Sequence, residues 1–430
     1  MFSQLKSTFS QYKNIIKNSL FLSIVDGVKM LLPFIAMPYI IRVCGVENFG
    51  RIIFAQTIVG YFSIVVNFGL NIFTIREVAN NLDDRQMLSR LANSFIALKL
   101  LLVFLCFLVM CILIKYVPFL QPFKNLLLFA FITTLADAFT MTAFFQGMEK
   151  MHNIAMLQLI AVVFYIVTLF IFVREKSAYE LVPLLQSSGL LFSSLLGGAL
   201  LYAKYKLKLF LPGIGEIFRM FKSSLPFAIS RVATVINANT AKFFAGLALG
   251  MHDLAVLDII QKISGAAMIP INIIDQAVYP HNAKHKDRRF ATKTFFYMLL
   301  LGCVCAGIMV VGASPAVHFF GRGELNEAIP LLYILSIKVI ATTLTFYTGT
   351  PVLVAFGYPK PFNMSVIWIS LLTVVIYPSI YYMGMLSLNK VIGIIIFNEV
   401  FFAAYRLFYC VKYKLLFNIP KEINDGKHQN

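Results

Sequence analysis

Long apolar runs fill nearly all of this 430-residue chain, yet Asp26, Lys29, Asp137, Arg231, Lys242, Asp258, Lys262, Asp275, Lys338 and Glu399 stand inside them. A charged side chain at mid-bilayer costs about 2.5–3.5 kcal/mol on insertion scales, so such side chains must face protein or trapped water rather than lipid. The pattern predicts an all-α integral membrane protein whose helices enclose a polar interior. With 59% hydrophobic and only 13% charged residues, a soluble fold of this length could not hide its apolar surface. The runs resolve into about twelve spans of the roughly 20 residues that cross the hydrocarbon core. The first is expected near 16–40, the seventh near 224–247 and the eighth near 255–279.

A net charge of +18 suggests nucleic acid until the basic residues are sorted by loop. They crowd into alternate connections, notably Lys204, Lys206, Lys208, Arg219 and Lys222, and then Lys284, Lys286, Arg288, Arg289 and Lys293. That asymmetry is the positive-inside signature, so no nucleic-acid partner is expected and both termini are read as cytoplasmic. Such loops also suit anionic lipid head groups. Lys6, Lys13 and Lys17 precede an apolar stretch that contains Asp26 and Lys29 and has no small-residue cleavage site, which reads as an uncleaved first span.

The six cysteines lie in or beside the spans and form no outer-loop framework. His281 and His285 have H-x3-H spacing but no third ligand in reach, so no metal is expected. The chain has no G-x-x-x-x-G-K-[ST] loop, no assembled Ser/His/Asp set and no long outer loop for an acceptor site. The expectation is a transporter without a cofactor, and not an enzyme.

An internal repeat organises the chain. Sliding residues 17–67 onto 222–272 without a gap pairs Lys17 with Lys222, Gly45 with Gly250, Gln56 with Gln261, Gly60 with Gly265 and Asn67 with Asn272. Gln56, Gly60, Ser63 and Asn67 share one helix face, a polar stripe that suits either a cavity or close helix packing. The repeat predicts two six-helix lobes around a central cavity, 1–210 and 211–430.

The sharpest constellation is in the seventh span. Arg231 and Lys242 stand eleven residues apart, close to three turns, with Asn237 near their shared face and no acid on their own helix. Unpaired cations there suggest an anion site, with Arg offering a fork of donors that fits phosphate oxygens. Neutralisation by an acid on another helix is the alternative. Asp26 with Lys29 and Asp258 with Lys262 have pairing distances along their own helices, and each pair reads as glue or as a coupling site. Lys338, Thr342, Thr345 and Gly349 form another polar stripe, while Lys99 is expected to snorkel to the interface.

One further pattern is recognisable. The stretch Pro38-Tyr39-Ile40-Ile41-Arg42-Val43-Cys44-Gly45-Val46-Glu47-Asn48-Phe49-Gly50 resembles the signature after the first span of bacterial O-antigen flippases, members of the multidrug/oligosaccharidyl-lipid/polysaccharide exporter superfamily. Gly69 with Arg76, Phe144-Phe145-Gln146-Gly147-Met148-Glu149, Tyr279-Pro280 and Gly357-Tyr358-Pro359-Lys360 fit the same pattern in order. The resemblance implies a flippase of the bacterial inner membrane that moves an undecaprenyl-pyrophosphate-linked oligosaccharide by alternating access, beside an O-antigen polymerase and a chain-length regulator. On that reading Arg231, Lys242, Lys338, Lys29, Lys262, Gln56, Asn67 and Asn272 are the candidate substrate contacts. Asp26, Asp137, Asp258, Asp275 and Glu399 are the candidates for coupling to an ion gradient. An exporter of another polysaccharide unit and a cationic-drug antiporter of the same fold are the alternatives.

Overall fold

The computed structural model describes Gly27 and residues 32–417, without the side chains of 229–231, 233–235 and 238. Asp26 and Lys29 therefore lie outside the described residues, as does the side chain of Arg231. No strand occurs among the described residues. A short helix α1 (Leu32–Cys44) is followed by α2 (Val46–Asn67), α3 (Leu70–Asn80), α4 (Arg85–Tyr116), α5 (Lys124–Phe139), α6 (Thr142–Gly147), α7 (Met151–Phe172) and α8 (Leu181–Tyr205). Then come α9 (Ile214–Ala248), α10 (Met251–Ala267), α11 (Ile269–His285), α12 (Arg288–Val311) and α13 (Ala313–Gly321). The last helices are α14 (Ala328–Tyr347), which runs on as a π-helix over Thr348–Val354, α15 (Pro359–Tyr382) and α16 (Leu388–Lys412).

Among the described residues nine helices are long and apolar enough to cross a membrane, ten when the bent pair α10 and α11 counts as one span. Several have a flank that water would not tolerate: α4 exposes Phe104, Leu108 and Ile112, and α12 exposes Phe296, Leu300 and Ile308. Backbone groups in lipid must be satisfied within the segment, which is why a chain this apolar becomes helix. The protein is a multi-pass membrane protein. Of the twelve expected spans, the first falls mostly outside the described residues. The seventh is present in α9, a helix not among the nine, whose sequence carries Arg231, Asn237, Asn239 and Lys242.

Contacts group the chain into two compact units. The first holds the described residues up to Ile259 with Val317–Asn326 and Thr373–Leu388; the second holds Ile260–Ala316, Glu327–Leu372 and Asn389 onward. In the first unit α5 packs on α2 and α8, and α9 packs on α2, α3 and α4. In the second, α12 packs on α14, and α11 on both α12 and the π-helix.

Breaks in the helices follow the sequence. Phe68 (φ 22°) and Gly69 (φ 68°) separate α2 from α3, and a Cβ on Gly69 would lie 2.8 Å from the Phe227 carbonyl carbon, so only glycine lets α9 come this close. Met268 and Pro270 separate α10 from α11, which are bent by 46°. Gly45 and Gly250, matched in the repeat, have φ of 86° and 97° and introduce α2 and α10 respectively.

Two stretches quoted for the resemblance prove to be packing devices. Phe144 and Phe145 are fully buried in a core with Leu70, Val78, Leu88 and Phe95. A Cβ on Gly147 would sit 2.8 Å from the Ile75 carbonyl oxygen. At the other stretch the carbonyl of Met251 takes the space a Cβ on Gly50 would need, and Arg42 donates from Nη2 to the Phe319 carbonyl at 2.9 Å.

Candidate functional site: two buried polar networks and a polar helix

In the first unit, the polar stripe of α2 finds partners on α4, α5 and α8. Gln56 donates from Nε2 to Gln186 Oε1 at 2.7 Å, and the Ser63 and Thr134 hydroxyls are 3.4 Å apart. Further along, the Lys99 ammonium donates to Asn67 Oδ1 at 3.0 Å and to the backbone carbonyl of Asp137 at 2.9 Å, with its Nζ 4.3 Å from the centre of the Phe95 ring. The Asp137 carboxyl is near Ser63 and Asn67 and within the field of the Lys99 ammonium. Lys99 is 1% exposed, so the expectation that it snorkels to the interface is corrected. Its four methylenes are buried and its charge is solvated by α2 and α5 instead of water. The structure thus joins Asn67 and Asp137, two separate sequence candidates, through a lysine read as peripheral.

Helix α9 carries the other polar group of this unit. Lys242 donates to Asp258 Oδ1 of α10 at 2.6 Å, so the reading of Lys242 as an unpaired cation is corrected. The two partners are unequal: the Lys242 side chain is 21% accessible and that of Asp258 only 1%. Of the pair, the lysine is the partner left accessible. Asn237 accepts from Thr373 at 3.1 Å, Asn239 faces Gly60 of α2, and Phe243 and Phe244 stack with Phe54 and Tyr377 respectively. Alternating amides, a lysine and aromatic faces are the surfaces that bind sugars and phosphates, and α9 presents all three within two turns.

The second unit has its own buried charges. Arg406 on α16, 5% exposed, donates from Nε to Ser365 Oγ and from Nη1 to the Thr345 carbonyl, both at 2.9 Å. Its guanidinium is 4.4 Å from the Phe362 ring centre and 4.8 Å from that of Phe402. Glu399 of α16 and Asp275 of α11 are the carboxylates whose charge it feels. Glu399 also lies in the field of Lys338 and near Thr342, so Lys338 too is a cation with an acid beside it. The Asp275 Oδ1 atom is buried without a hydrogen bond. The π-helix makes room for this cluster, because Gly349 lies directly against the Arg406 guanidinium. Lys262, on α10, and Asn272, on α11, are half-buried in this unit.

Arg406 is the residue that sequence reasoning missed. It is hidden in the run Phe401-Phe402-Ala403-Ala404-Tyr405-Arg406-Leu407-Phe408 near the end of a span. The available signal was its spacing of seven from Glu399, two helical turns on one face. Among the described residues no group of three His, Cys, Asp or Glu is placed to hold a metal ion.

Against known proteins, the family described as polysaccharide biosynthesis protein matches residues 15–286. The chain is 25% identical over 328 residues to a protein of Shigella dysenteriae named "Putative O-antigen transporter", covering 74% of this chain and 82% of that one. It is 24% identical over 368 residues to a protein of the same name from Escherichia coli strain K12, covering 84% and 88%. In structure it is similar to an inward-facing multidrug resistance MATE family transporter of the MOP superfamily, with a TM-score of 0.69 at 16% identity over 91% of this chain and 98% of that one. The last likeness establishes the transporter fold.

Proposed function

Because the chain belongs to the polysaccharide biosynthesis protein family, we propose that it is a flippase that carries a lipid-linked O-antigen oligosaccharide from the cytoplasmic to the periplasmic leaflet of the bacterial inner membrane. The substrate is an undecaprenyl-pyrophosphate-linked unit, its lipid tail remaining in the bilayer while sugars and pyrophosphate cross through protein. The observation that carries this reading is α9, a helix of membrane-spanning length whose one face offers Asn239 and an accessible Lys242 over a sealed Asp258, with Asn237 turned to Thr373 on another side. Arg231, three turns earlier on the same helix, is the second pyrophosphate contact, with Lys29, Lys262 and Lys338 as supporting cations. Gln56, Asn67 and Asn272 are the amides for sugar hydroxyls. A cationic drug would find this face repulsive, which favours the oligosaccharide over the drug antiporter.

Movement follows from two six-helix lobes, 1–210 and 211–430, that open alternately to either side, with both termini cytoplasmic. Energy comes from an ion gradient acting on Asp26, Asp137, Asp258, Asp275 and Glu399. Of these, Asp137 and Glu399 are held beside a lysine, so that a change of charge at the acid re-partners a cation. The O-antigen polymerase and chain-length regulator receive the unit on the far side. The chain itself makes and breaks no covalent bond.

Deleting the gene in its host tests this. Loss of the lipopolysaccharide ladder with single lipid-linked units accumulating is the expected result, restored by the parent gene but not by an Arg231→Ala variant present at normal level. An intact ladder with altered drug sensitivity would overturn the substrate while leaving the fold.

A further inference from the structure

A polar cavity lies away from all these groups, in the first unit, between α3, α4 and the opening turns of α9. Its volume is about 280 Å3. Glu77, Arg90, Glu216 and Arg219 line it together with the apolar Phe73 and the buried Met220. Among the described residues none of these four charged side chains is in an ion pair. Arg90 and Arg219 are exposed and Glu77 and Glu216 half-buried, so two guanidinium groups and two carboxylates line one open cavity with no direct ion pair among them. A simple anion would meet the carboxylates there and a simple cation the guanidinium groups. The complementary ligand carries a phosphate and an ammonium together.

The surroundings say where such a ligand comes from. Glu216, Arg219, Met220 and Ser223 follow i, i+3, i+4, i+7 and so present one face of α9 to the cavity. On the other side of the same turns Ile214 is 87% and Phe218 65% exposed, and in the preceding linker Leu209 is 77% and Leu211 97% exposed. This exposure is built in, because the linker is strapped to α4: Asn93 Nδ2 donates to the Lys208 carbonyl at 2.8 Å and the Lys208 amide donates to Ser89 Oγ at 3.1 Å. Bare leucine, isoleucine and phenylalanine beside Lys204, Lys206, Lys208 and Lys222 is the composition of a segment at the level of lipid head groups.

We propose that this cavity holds the head group of a phospholipid with a primary amine, of the phosphatidylethanolamine type. The phosphate lies between Arg90 and Arg219, the ammonium is taken by Glu77 and Glu216, and the first acyl carbons lie against the apolar wall of the cavity, Phe73, Met87 and Leu91. A pyrophosphate-linked sugar fits less well, having no group for the two carboxylates. The site is thus distinct from the transport face of α9, since its last lining residue, Ser223, precedes Arg231 by about two turns.

Native mass spectrometry of the full chain from micelles holding equal amounts of phosphatidylethanolamine, phosphatidylcholine and phosphatidylglycerol tests it. Retention of phosphatidylethanolamine about tenfold above the other two is expected, as charge-assisted hydrogen bonds to both ends would give. Both the R90Q/R219Q and the E77Q/E216Q variants should lose that preference. Equal retention of the three lipids by the parent chain would overturn the proposal whatever the variants do. Preference for phosphatidylglycerol, or dependence on the arginines alone, would make the cavity a plain anion site and equally overturn it.

Discussion

Lys99 and Arg406 show what a buried cation requires. Each gives its hydrogen bonds to a backbone carbonyl and a neutral side-chain oxygen, and each lies against aromatic rings, with the carboxylate a step further away. Such an arrangement stabilises little on balance, since desolvating both charges offsets most of their attraction, but removing one partner strands the other. Lys99→Met should therefore destabilise the protein by about 3–5 kcal/mol, read as a lower unfolding midpoint in detergent. The double variant Lys99→Met/Asp137→Asn should recover most of that loss. Equal midpoints for the parent and Lys99→Met would show that the ammonium does not hold α2 and α5 together. At Arg406, lysine is not a conservative replacement, because the sandwich between Phe362 and Phe402 and the paired donors both depend on a planar guanidinium. Arg406→Lys should lose thermal stability while Lys414→Arg, on an exposed lysine beyond α16, should not.

At the scale of elements, apolar run length made the helices legible, and the glycines made their breaks legible only afterwards. Gly69 is the clearest case: its positive φ and the Phe227 carbonyl carbon at 2.8 Å each exclude a side chain. Gly69→Ala should cost at least ~1–2 kcal/mol from the left-handed backbone alone, with more from the clash. Gly198→Ala, in the middle of α8 with nothing within 4 Å of the new methyl, should be neutral or slightly stabilising. Comparable unfolding midpoints for the two variants would contradict the account of the α2–α3 break. What the sequence could not reveal was which charges meet. Helical spacing ranks partners on one helix and set Asp258 beside Lys262; it could not show the 2.6 Å ion pair of Asp258 to Lys242 on the neighbouring helix. Lys99 was placed at the interface for the same reason, since its burial depends on what α2 and α5 present and not on its own depth in a span. The stripe Lys338, Thr342, Thr345 was legible, but its partners on α16 were not, because an arginine inside an aromatic run reads as a membrane-interface residue.

For the whole molecule, family membership, the multi-pass helical architecture and the transporter fold agree, and the proposed function assigns the substrate to the polar face of α9. Dependence on an ion gradient belongs at this scale too. Glu399→Gln should slow translocation in vesicles with an imposed proton or sodium gradient and bring it close to the rate without one, whereas a variant that responds to the gradient like the parent would remove Glu399 from coupling. The central claim is tested most directly by reconstituting the purified chain in liposomes with an undecaprenyl-pyrophosphate-linked oligosaccharide in both leaflets and following protection of the sugar from an external oxidant. The account predicts that protein-containing liposomes oxidise nearly all of the sugar under an imposed gradient, while protein-free liposomes protect the inner half. Protection of that inner half in both preparations, with the protein folded and oriented in the bilayer, would contradict it.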